Sequence, residues 1–270
     1  MNKPSSAAPP VAVITGGARG IGLAIAQGFL QQGHRVVLID IDAETLHRTE
    51  ATLAESQTEP EHVLAVHADV SDPAQVERAF AAIQARYSRL DALVNNAGVA
   101  VFKPVGQTTF AEWRHVLGTN LDGAFLCTQA AVPLMRAGAV GGAIVNIASI
   151  SGLRASTLRV AYGTSKAALI QLTKQYAVEL GTEGIRVNAV APGPVDTEMA
   201  KLVHSVAIRS DYHDVIPLNR YGTVEEIANA VVFLCSPQAS YINGQVLAVD
   251  GGFEAAGVGL PTLRRSADPR

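Results

Sequence analysis

Short apolar segments rich in Val and Ile alternate along this chain with segments of helical period. The apolar segments do not alternate with polar residues, which is typical of strands buried on both faces of a sheet. They occupy residues 11–16, 35–40, 62–70, 90–98, 141–149, 185–193 and 244–252. Helix-period stretches lie between them, for example at residues 21–32, 73–87, 161–180 and 224–234. This order predicts an α/β fold with one doubly wound parallel sheet of about seven strands and helices on both faces.

The strand and helix order continues without a linker or an internal repeat, so we predict a single domain over residues 11–252. A flexible leader rich in Pro, Ser and Ala is predicted at residues 1–10. Residues 194–221 lack an obvious strand and are predicted to form an irregular substrate loop, because α/β proteins place binding surfaces beyond strand ends. The tail at residues 253–270 either reaches a neighbouring subunit or frays.

Composition excludes several classes of partner. A net charge of -3 without a run of basic residues argues against nucleic acid and anionic membranes and favours a small-molecule substrate. The chain has no apolar run long enough to cross a bilayer and no signal peptide, so we expect no membrane association. Cys127 and Cys235 lie far apart without a CxxC pair, which argues against disulfides and a metal site. A cytoplasmic location is expected.

Three glycines, Gly16, Gly20 and Gly22, follow the first predicted strand in the sequence ITGGARGIG. At a strand-to-helix turn, glycine lets backbone N–H groups approach a pyrophosphate at the positive N-terminus of a helix. The spacing differs from the common GxGxxG fingerprint, and glycines also suit a turn that is merely tight. The glycines alone therefore leave a dinucleotide site and a structural turn both open.

Tyr162 and Lys166 are four residues apart in the sequence YGTSK. This spacing places both side chains on one helix face, where an ammonium would favour the phenolate over the phenol, whose ordinary pKa is about 10. A tyrosine tuned in this way can transfer a proton near neutral pH. An ordinary amphipathic pair on a surface helix has the same spacing.

Five motifs in this order resemble those of the classical short-chain dehydrogenases/reductases. They are TGGARGIG, NNAG at residues 95–98, Ser149, YGTSK at residues 162–166 and PGPVDT at residues 192–197. The resemblance covers residues 11–252. It implies a Rossmann-type fold and an NAD-dependent oxidoreductase that interconverts a secondary alcohol and a ketone by hydride transfer.

The resemblance also implies four catalytic roles. Tyr162 would be the general acid and base. Lys166 would hydrogen-bond the nicotinamide ribose and lower the pKa of Tyr162. Ser149 would orient the substrate oxygen and stabilise charge that develops on it. Asn120, in the sequence GTNLDG, would help to hold a water chain that runs from the lysine toward solvent.

The cofactor-binding residues implied by the resemblance lie in four groups, together with Tyr162 and Lys166. The pyrophosphate and adenosine would contact the glycine turn, the adenine would lie against the end of the third strand, the adenosine ribose side would follow the fourth strand, and the nicotinamide would be covered by the PGPVDT segment. In chain order the groups are Gly16, Arg19, Gly20, Ile21 and Gly22; Asp69 and Val70; Asn96, Ala97 and Gly98; and Pro192, Gly193, Val195 and Thr197.

Two residues give conflicting indications of the nucleotide. Asp40 ends the second predicted strand 18 residues after Gly22, where a carboxylate accepts hydrogen bonds from the adenosine ribose and repels the extra phosphate of NADP. Asp40 would fit a helix cap as well. Arg19 occupies a position where some relatives direct a basic residue at that phosphate. We favour NAD, because an arginine can turn to solvent or pair with another anion. NADP is the alternative.

The substrate is expected to be anionic or polyhydroxylated, because basic residues are concentrated near the predicted pocket. A solvated loop with scattered charges would give the same pattern. The basic residues are Arg154, Arg159, His204, Arg209, His213 and Arg220. The apolar surface of residues 161–180 and the resemblance together indicate a homotetramer.

Three other functions fit parts of the sequence. An NADPH-dependent 3-oxoacyl thioester reductase is supported by Arg19. A non-catalytic protein that senses the dinucleotide would have little need for Tyr162, Lys166, Ser149 and Asn120 together. A methyltransferase with a glycine loop would leave the YGTSK segment unexplained.

Overall fold

The computed structural model describes residues 8–55, 60–138, 141–257 and 261. The predicted leader up to residue 7 lies outside the described residues. The same holds for the predicted tail beyond residue 257, apart from residue 261. No helix among the described residues is long and apolar enough to cross a membrane.

Seven parallel strands form one sheet in the order β3-β2-β1-β4-β5-β6-β7. The predicted doubly wound fold is thereby confirmed. The strands are β1 Val11–Thr15, β2 Arg35–Asp40, β3 Val63–His67, β4 Ala92–Asn95, β5 Gly142–Ile147, β6 Ile185–Pro192 and β7 Val246–Val249.

Helices cover both faces of the sheet, as predicted. One core packs α1, α2 and α10 against the sheet, and the other packs α3, α5 and α7. Ala12 and Ile14 of β1 face the first core, whereas Val11 and Val13 face the second, so the strand is apolar throughout. The helices are α1 Gly20–Gln31, α2 Ala43–Glu55, α3 Pro73–Tyr87, α4 Phe110–Leu117, α5 Gly123–Ala137, α6 Ile150–Leu153, α7 Val160–Leu180, α8 Glu198–Val203, α9 Val206–Val215 and α10 Val224–Cys235.

Strands β3, β4 and β7 are shorter than the apolar runs predicted. After β3 the chain turns away from the sheet, because the Asp69 carboxylate accepts hydrogen bonds from the backbone and side chain of Ser71. After β4 the backbone N–H of Asn96 bonds to Thr15 Oγ1 and to the Val94 carbonyl. These local hydrogen bonds replace the ladder at the carboxyl edge, which is where the predicted site residues lie.

The segment at residues 194–221 contains two helices, so the prediction of an irregular loop is wrong. Thr197 caps α8 by accepting a hydrogen bond from Ala200 N, and Ser205 caps α9 by accepting one from Ile208 N. The two helices have 6 and 10 residues, which is too short for a clear apolar periodicity in the sequence.

Buried polar side chains form a ladder that connects β4 and β5 to the helices of one face. Asn95 Nδ2 donates to Thr128 Oγ1 over 3.1 Å and to Asn146 Oδ1 over 2.8 Å. Asn146 Nδ2 donates in turn to Thr173 Oγ1 over 2.9 Å. The ladder fixes the ends of the two strands immediately before Asn96 and Ser149.

Replacement of Asn146 by Leu is expected to lower the free energy of unfolding by about 1–3 kcal/mol, because it leaves a buried Asn95 N–H without an acceptor. Urea titration followed by circular dichroism measures the loss. Gln171→Leu, at an exposed position of α7, is the control. Equal stability of the two variants would show that the ladder contributes nothing.

Candidate active site

The glycine turn between β1 and α1 is too crowded for side chains. Gly16 has φ +62°, and a Cβ on Gly22 would lie 2.1 Å from the Gly16 carbonyl oxygen. Arg19, at the N-cap of α1, makes no capping hydrogen bond with its side chain, and the first turn of the helix contains no acidic residue. The turn therefore offers uncapped N–H groups and a positive helix end, as an anion such as a pyrophosphate requires.

The NNAG segment is bound directly to this turn. Asn96 Nδ2 donates to the carbonyl oxygens of Thr15 and Gly16 over 3.0 and 2.9 Å. Thr15 Oγ1 accepts from the backbone N–H groups of Asn96 and Ala97, both over 3.0 Å. Sequence reasoning missed Thr15, although a threonine that directly precedes the glycine turn was a readable signal.

The carboxylate of Asp40 lies at the edge of the same turn. Its Oδ2 accepts from Ala18 N and its Oδ1 from Asp42 N, each over 3.0 Å. Arg19 donates from Nη2 to Asp42 Oδ2 over 3.1 Å, so this arginine pairs with a neighbouring carboxylate. Sequence reasoning missed Asp42.

Asp69 and Val70 follow β3 near the N-terminal end of α5. Asp69 N donates to Gln75 Oε1 over 3.0 Å. Val70 is buried, and a Cβ on Gly123 would lie 2.8 Å from its Cγ2. Both residues are held firmly at the carboxyl edge of the sheet. A contact with adenine remains a prediction for them.

Ser149 and Tyr162 line one cavity, and Ser149 lies close enough to Tyr162 to favour its phenolate form and so to lower its pKa. Ser149 ends the loop after β5 and caps α6, with Oγ accepting from Ser151 N over 3.1 Å. Because that bond uses a lone pair of the oxygen, the hydroxyl proton of Ser149 is free to point toward Tyr162 or a substrate oxygen.

Desolvation is the largest effect on Tyr162 and raises its pKa above the ordinary value. The nearby Ser149 hydroxyl and the positive charge of Arg159 oppose this shift, whereas Tyr212 adds to it. The resemblance implies that Lys166 lowers this pKa, but here the net shift is upward and the opposing cation is Arg159. The ammonium of Lys166 is directed elsewhere.

Lys166 lies one helical turn beyond Tyr162 and is almost completely buried. Its Nζ donates to the Ile147 carbonyl oxygen over 2.7 Å and lies 5.8 Å from the centre of the Tyr162 ring. Burial lowers the pKa of Lys166 from 10.5 to about 8.

Asn120 lies in a π-helical turn, Gly118–Asp122, between α4 and α5. Its Oδ1 accepts from Val99 N over 2.8 Å, and its Nδ2 donates to the Val99 carbonyl oxygen and to Ser165 Oγ over 2.9 and 3.0 Å. Ser165 Oγ donates to the Tyr162 carbonyl oxygen over 2.7 Å. Asn120 therefore connects the loop after β4 to the helix that carries Tyr162. A role in a water chain remains a prediction.

A cavity of about 230 Å³ lies at the carboxyl edge of the sheet. Ten predicted site residues line it: Ile21, Asn96, Gly98, Ser149, Tyr162, Lys166, Pro192, Gly193, Val195 and Thr197. The other nine do not line it: Gly16, Arg19, Gly20, Gly22, Asp40, Asp69, Val70, Ala97 and Asn120. Of the basic residues considered for substrate binding, Arg159 and His204 line the cavity. Tyr212, which sequence reasoning did not single out, also does.

Comparison with known proteins gives consistent matches over nearly the whole chain. A family model described as enoyl-(acyl carrier protein) reductase matches residues 16–254. The 2-(R)-hydroxypropyl-CoM dehydrogenase of Xanthobacter autotrophicus is 40% identical over 250 residues, which are 91% of this chain and 98% of that protein. The 3-oxoacyl-acyl-carrier-protein reductase of Chlamydia trachomatis is 39% identical over 242 residues, which are 89% of this chain and 96% of that protein.

The crystal structure of levodione reductase superimposes with a TM-score of 0.86 at 38% identity, covering 92% of this chain and 98% of the other. The chain belongs to the short-chain dehydrogenase/reductase family. This short-chain dehydrogenase/reductase is an NAD(P)-dependent oxidoreductase that acts on CH–OH groups.

The burial of Lys166 lowers the stability of this short-chain dehydrogenase/reductase. Lys166→Met is expected to raise the free energy of unfolding near neutral pH by about 1–2 kcal/mol, because a lowered lysine pKa reflects a destabilised buried charge, partly offset by the hydrogen bond to Ile147. The exposed Lys174 of α7, changed to Met, is the control.

The difference in the free energy of unfolding between Lys166→Met and the wild-type protein depends on pH. Below about pH 8 Lys166 is charged in both folded and unfolded states, so the full cost is present. Between that value and the unfolded pKa of about 10.4, the folded protein releases the proton first and the cost declines. Urea unfolding on both sides of this interval measures the change. A constant advantage of Lys166→Met would contradict this account.

Proposed function

We propose that this enzyme interconverts a secondary alcohol and a ketone with NAD as its cofactor. The observation that carries the proposal is the placement of Ser149 and Tyr162 in one cavity at the carboxyl edge of the sheet. Lys166, one helical turn from Tyr162, lines the same cavity. In α/β sheets of this order, ligands bind at that edge, where the strand order reverses beside β1.

We assign the roles of the chain's residues from their side-chain chemistry and their positions in the cavity. In reduction, the Tyr162 hydroxyl donates a proton to the substrate oxygen, and in oxidation the phenolate accepts one. The Ser149 hydroxyl donates to the same oxygen and stabilises the charge that develops there. The bound nicotinamide supplies or takes up the hydride. Burial raises the pKa of Tyr162, so its phenol is protonated near neutral pH, which is the form that donates a proton in reduction.

The residues around the glycine turn fit a dinucleotide. We assign the pyrophosphate to the uncapped N-terminus of α1, where Gly20 leaves open space and Gly16 and Gly22 permit the tight turn. The nicotinamide would be held by residues at and after the end of β6 that line the same cavity as Tyr162, namely Pro192, Gly193, Val195 and Thr197. Lys166 would contact the nicotinamide ribose.

Two carboxylates favour NAD over NADP. Asp40 is buried at the edge of the glycine turn, and Asp42 lies two residues further on. A 2′-phosphate on the adenosine ribose would be repelled by both. Arg19, the residue that could attract that phosphate, is paired with Asp42. Its positive charge is therefore partly neutralised by the protein itself.

A 3-oxoacyl thioester reductase is the second candidate function. It is supported by the 39% identity to the chlamydial 3-oxoacyl-acyl-carrier-protein reductase. The pairing of Arg19 with Asp42 weakens the argument from Arg19 for NADPH. Assays of short ketones, hydroxy acids and 3-oxoacyl thioesters with each reduced or oxidised nucleotide discriminate the two candidates.

A homotetramer also remains a proposal. Ala161, Leu169 and Leu180 of α7 are buried within the single chain, so they are not available to a partner. Val178 of α7 and Phe125 of α5 are exposed, however, and provide apolar surface on the two helices by which relatives are expected to pair.

Replacement of Tyr162 by Phe is expected to lower kcat by about 10²–10⁴-fold, because it removes the proton donor alone. The affinity for NADH, measured by fluorescence titration, should stay within about threefold of wild type. Tyr176→Phe on the same helix is the control. A Tyr162→Phe variant that turns over normally, or that loses NADH, would contradict the assigned role.

Asp40→Asn is expected to raise the ratio of kcat/KM with NADP to that with NAD by about tenfold or more, since it removes one charge near the 2′ position. The amide retains one acceptor for the Ala18 and Asp42 N–H groups. Glu44→Gln, the same change at an exposed site in α2, is the matched control. An unchanged ratio would place the ribose away from Asp40.

A further inference from the structure

The cavity has positively charged walls and no acidic residue among the described residues that line it. Its ionisable basic side chains are Arg159, Lys166 and His204. A second, adjoining depression likewise has no carboxylate among the described residues that line it. It is lined by residues 151–156 and 158–160, and also by Lys103, Val105, Gly163, Thr164 and Ala167. Arg159 lines both spaces, so it stands where the cavity opens outward.

Most arginines near the site are neutralised by carboxylates of the protein. Arg154 pairs with Glu254, with 3.6 Å between Nε and Oε1. Arg209 pairs with Asp196 over 2.9 Å. Arg220 pairs with Glu226 in two hydrogen bonds. These three arginines are thus already engaged, and none of them lines the site cavity.

Arg159 differs from the other three arginines. Within the part of the chain that the structure describes, no carboxylate lies at ion-pair distance from it. Its guanidinium carbon lies 5.1 Å from the centre of the Phe102 ring, and its Nη2 donates to the Tyr212 hydroxyl over 3.2 Å. These contacts hold the half-buried guanidinium in place and leave its other N–H groups without an acceptor on the described residues.

The neighbours of Arg159 are polar but carry little charge. Tyr212 accepts a hydrogen bond from Arg159, so its own proton is available to a ligand. His204 Nδ1 is hydrogen-bonded to the Tyr221 hydroxyl over 3.0 Å. Burial, with the charges of Arg159 and Arg209, lowers the pKa of His204, so the imidazole is neutral near pH 7. Arg159 is the positive charge at this end of the cavity.

We propose that Arg159, assisted by the Tyr212 hydroxyl, binds an anionic carboxylate or sulfonate group of the substrate. The proposal rests on the proposed function, because the reacting carbon of the same substrate must face Tyr162. Arg159 lies three residues before Tyr162 on the chain, at the N-cap of α7. The substrate is accordingly a short hydroxy or keto compound whose anionic end lies at the cavity mouth, where water still reaches it.

The test measures binding without turnover. In the Tyr162→Phe background, saturated with NAD, calorimetry measures the affinity for 4-oxopentanoate, for its neutral amide 4-oxopentanamide and for 3-oxobutane-1-sulfonate. We expect at least one of the two anions to bind about tenfold to a hundredfold more tightly than the amide, since a charge-assisted bidentate contact is lost in the amide. Which anion binds more tightly distinguishes a carboxylate from a sulfonate substrate.

Substitutions of Arg159 then assign the preference. Arg159→Gln should abolish the difference between anion and amide, and Arg159→Lys should retain part of it, since the charge remains but the bidentate geometry is lost. Arg154→Gln, in a residue already paired with Glu254, should preserve the full difference. Thermal unfolding of each variant checks that it folds.

Two results would overturn the proposal. One is an amide that binds as tightly as the anions do to the Tyr162→Phe protein, both with Arg159 intact and with Arg159→Gln added. The other is an equal loss of all three ligands in Arg159→Gln, which would mean that Arg159 only braces α9 through Tyr212. Failure of the proposed function would give a different result, namely that the protein with Tyr162 intact reduces no ketone. The preference for anions measured by calorimetry does not require turnover, so the two failures can be told apart.

Discussion

The site depends on the hydrogen bonds that join β1 to β4 at their carboxyl ends. Asn96 donates to the Thr15 and Gly16 carbonyls, and Thr15 accepts from the backbone that follows β4. Because the chain leaves β1 toward one side of the sheet and β4 toward the other, a crevice opens between them. These bonds fix the glycine turn to the segment after β4, and Asn120 fixes that segment in turn to α7.

The interior of this crevice is electrostatically unusual for a buried region. Lys166 is almost fully enclosed with only a carbonyl partner, and Arg159 has a ring and a hydroxyl in place of a carboxylate. Elsewhere around the site, carboxylates meet arginines in pairs. The described residues thus leave Lys166 and Arg159 without a carboxylate partner in this cavity, whereas Arg154, Arg209 and Arg220 outside it are paired, and burying the Lys166 charge costs stability.

The fold and the central residues were predictable because their signals are local. Apolar runs gave the sheet, and the spacing of Tyr162 and Lys166 placed both on one helix face. The ion pairs were not predictable, because their partners are far apart in the sequence. Arg154 pairs with Glu254, a hundred residues later, and Arg19 pairs with Asp42, which lies in the turn after β2. Which basic residue stays available depends on such long-range partners. The pKa of Tyr162 could not be predicted either, because it depends mainly on burial, and the sequence spacing of Tyr162 and Lys166 gives no information on burial.

The π-helical turn at Gly118–Asp122 has a geometric consequence for the whole of α5. A wider turn accommodates one additional residue within an otherwise continuous rod formed by α4 and α5. Each residue of an α-helix rotates the chain by about 100°. If that additional residue were part of a regular α-helix instead, Cys127, Ala131 and Met135 would be rotated away from the sheet by roughly that angle. The wider turn therefore keeps the apolar face of α5 directed at the core while Asn120 lies within the turn itself.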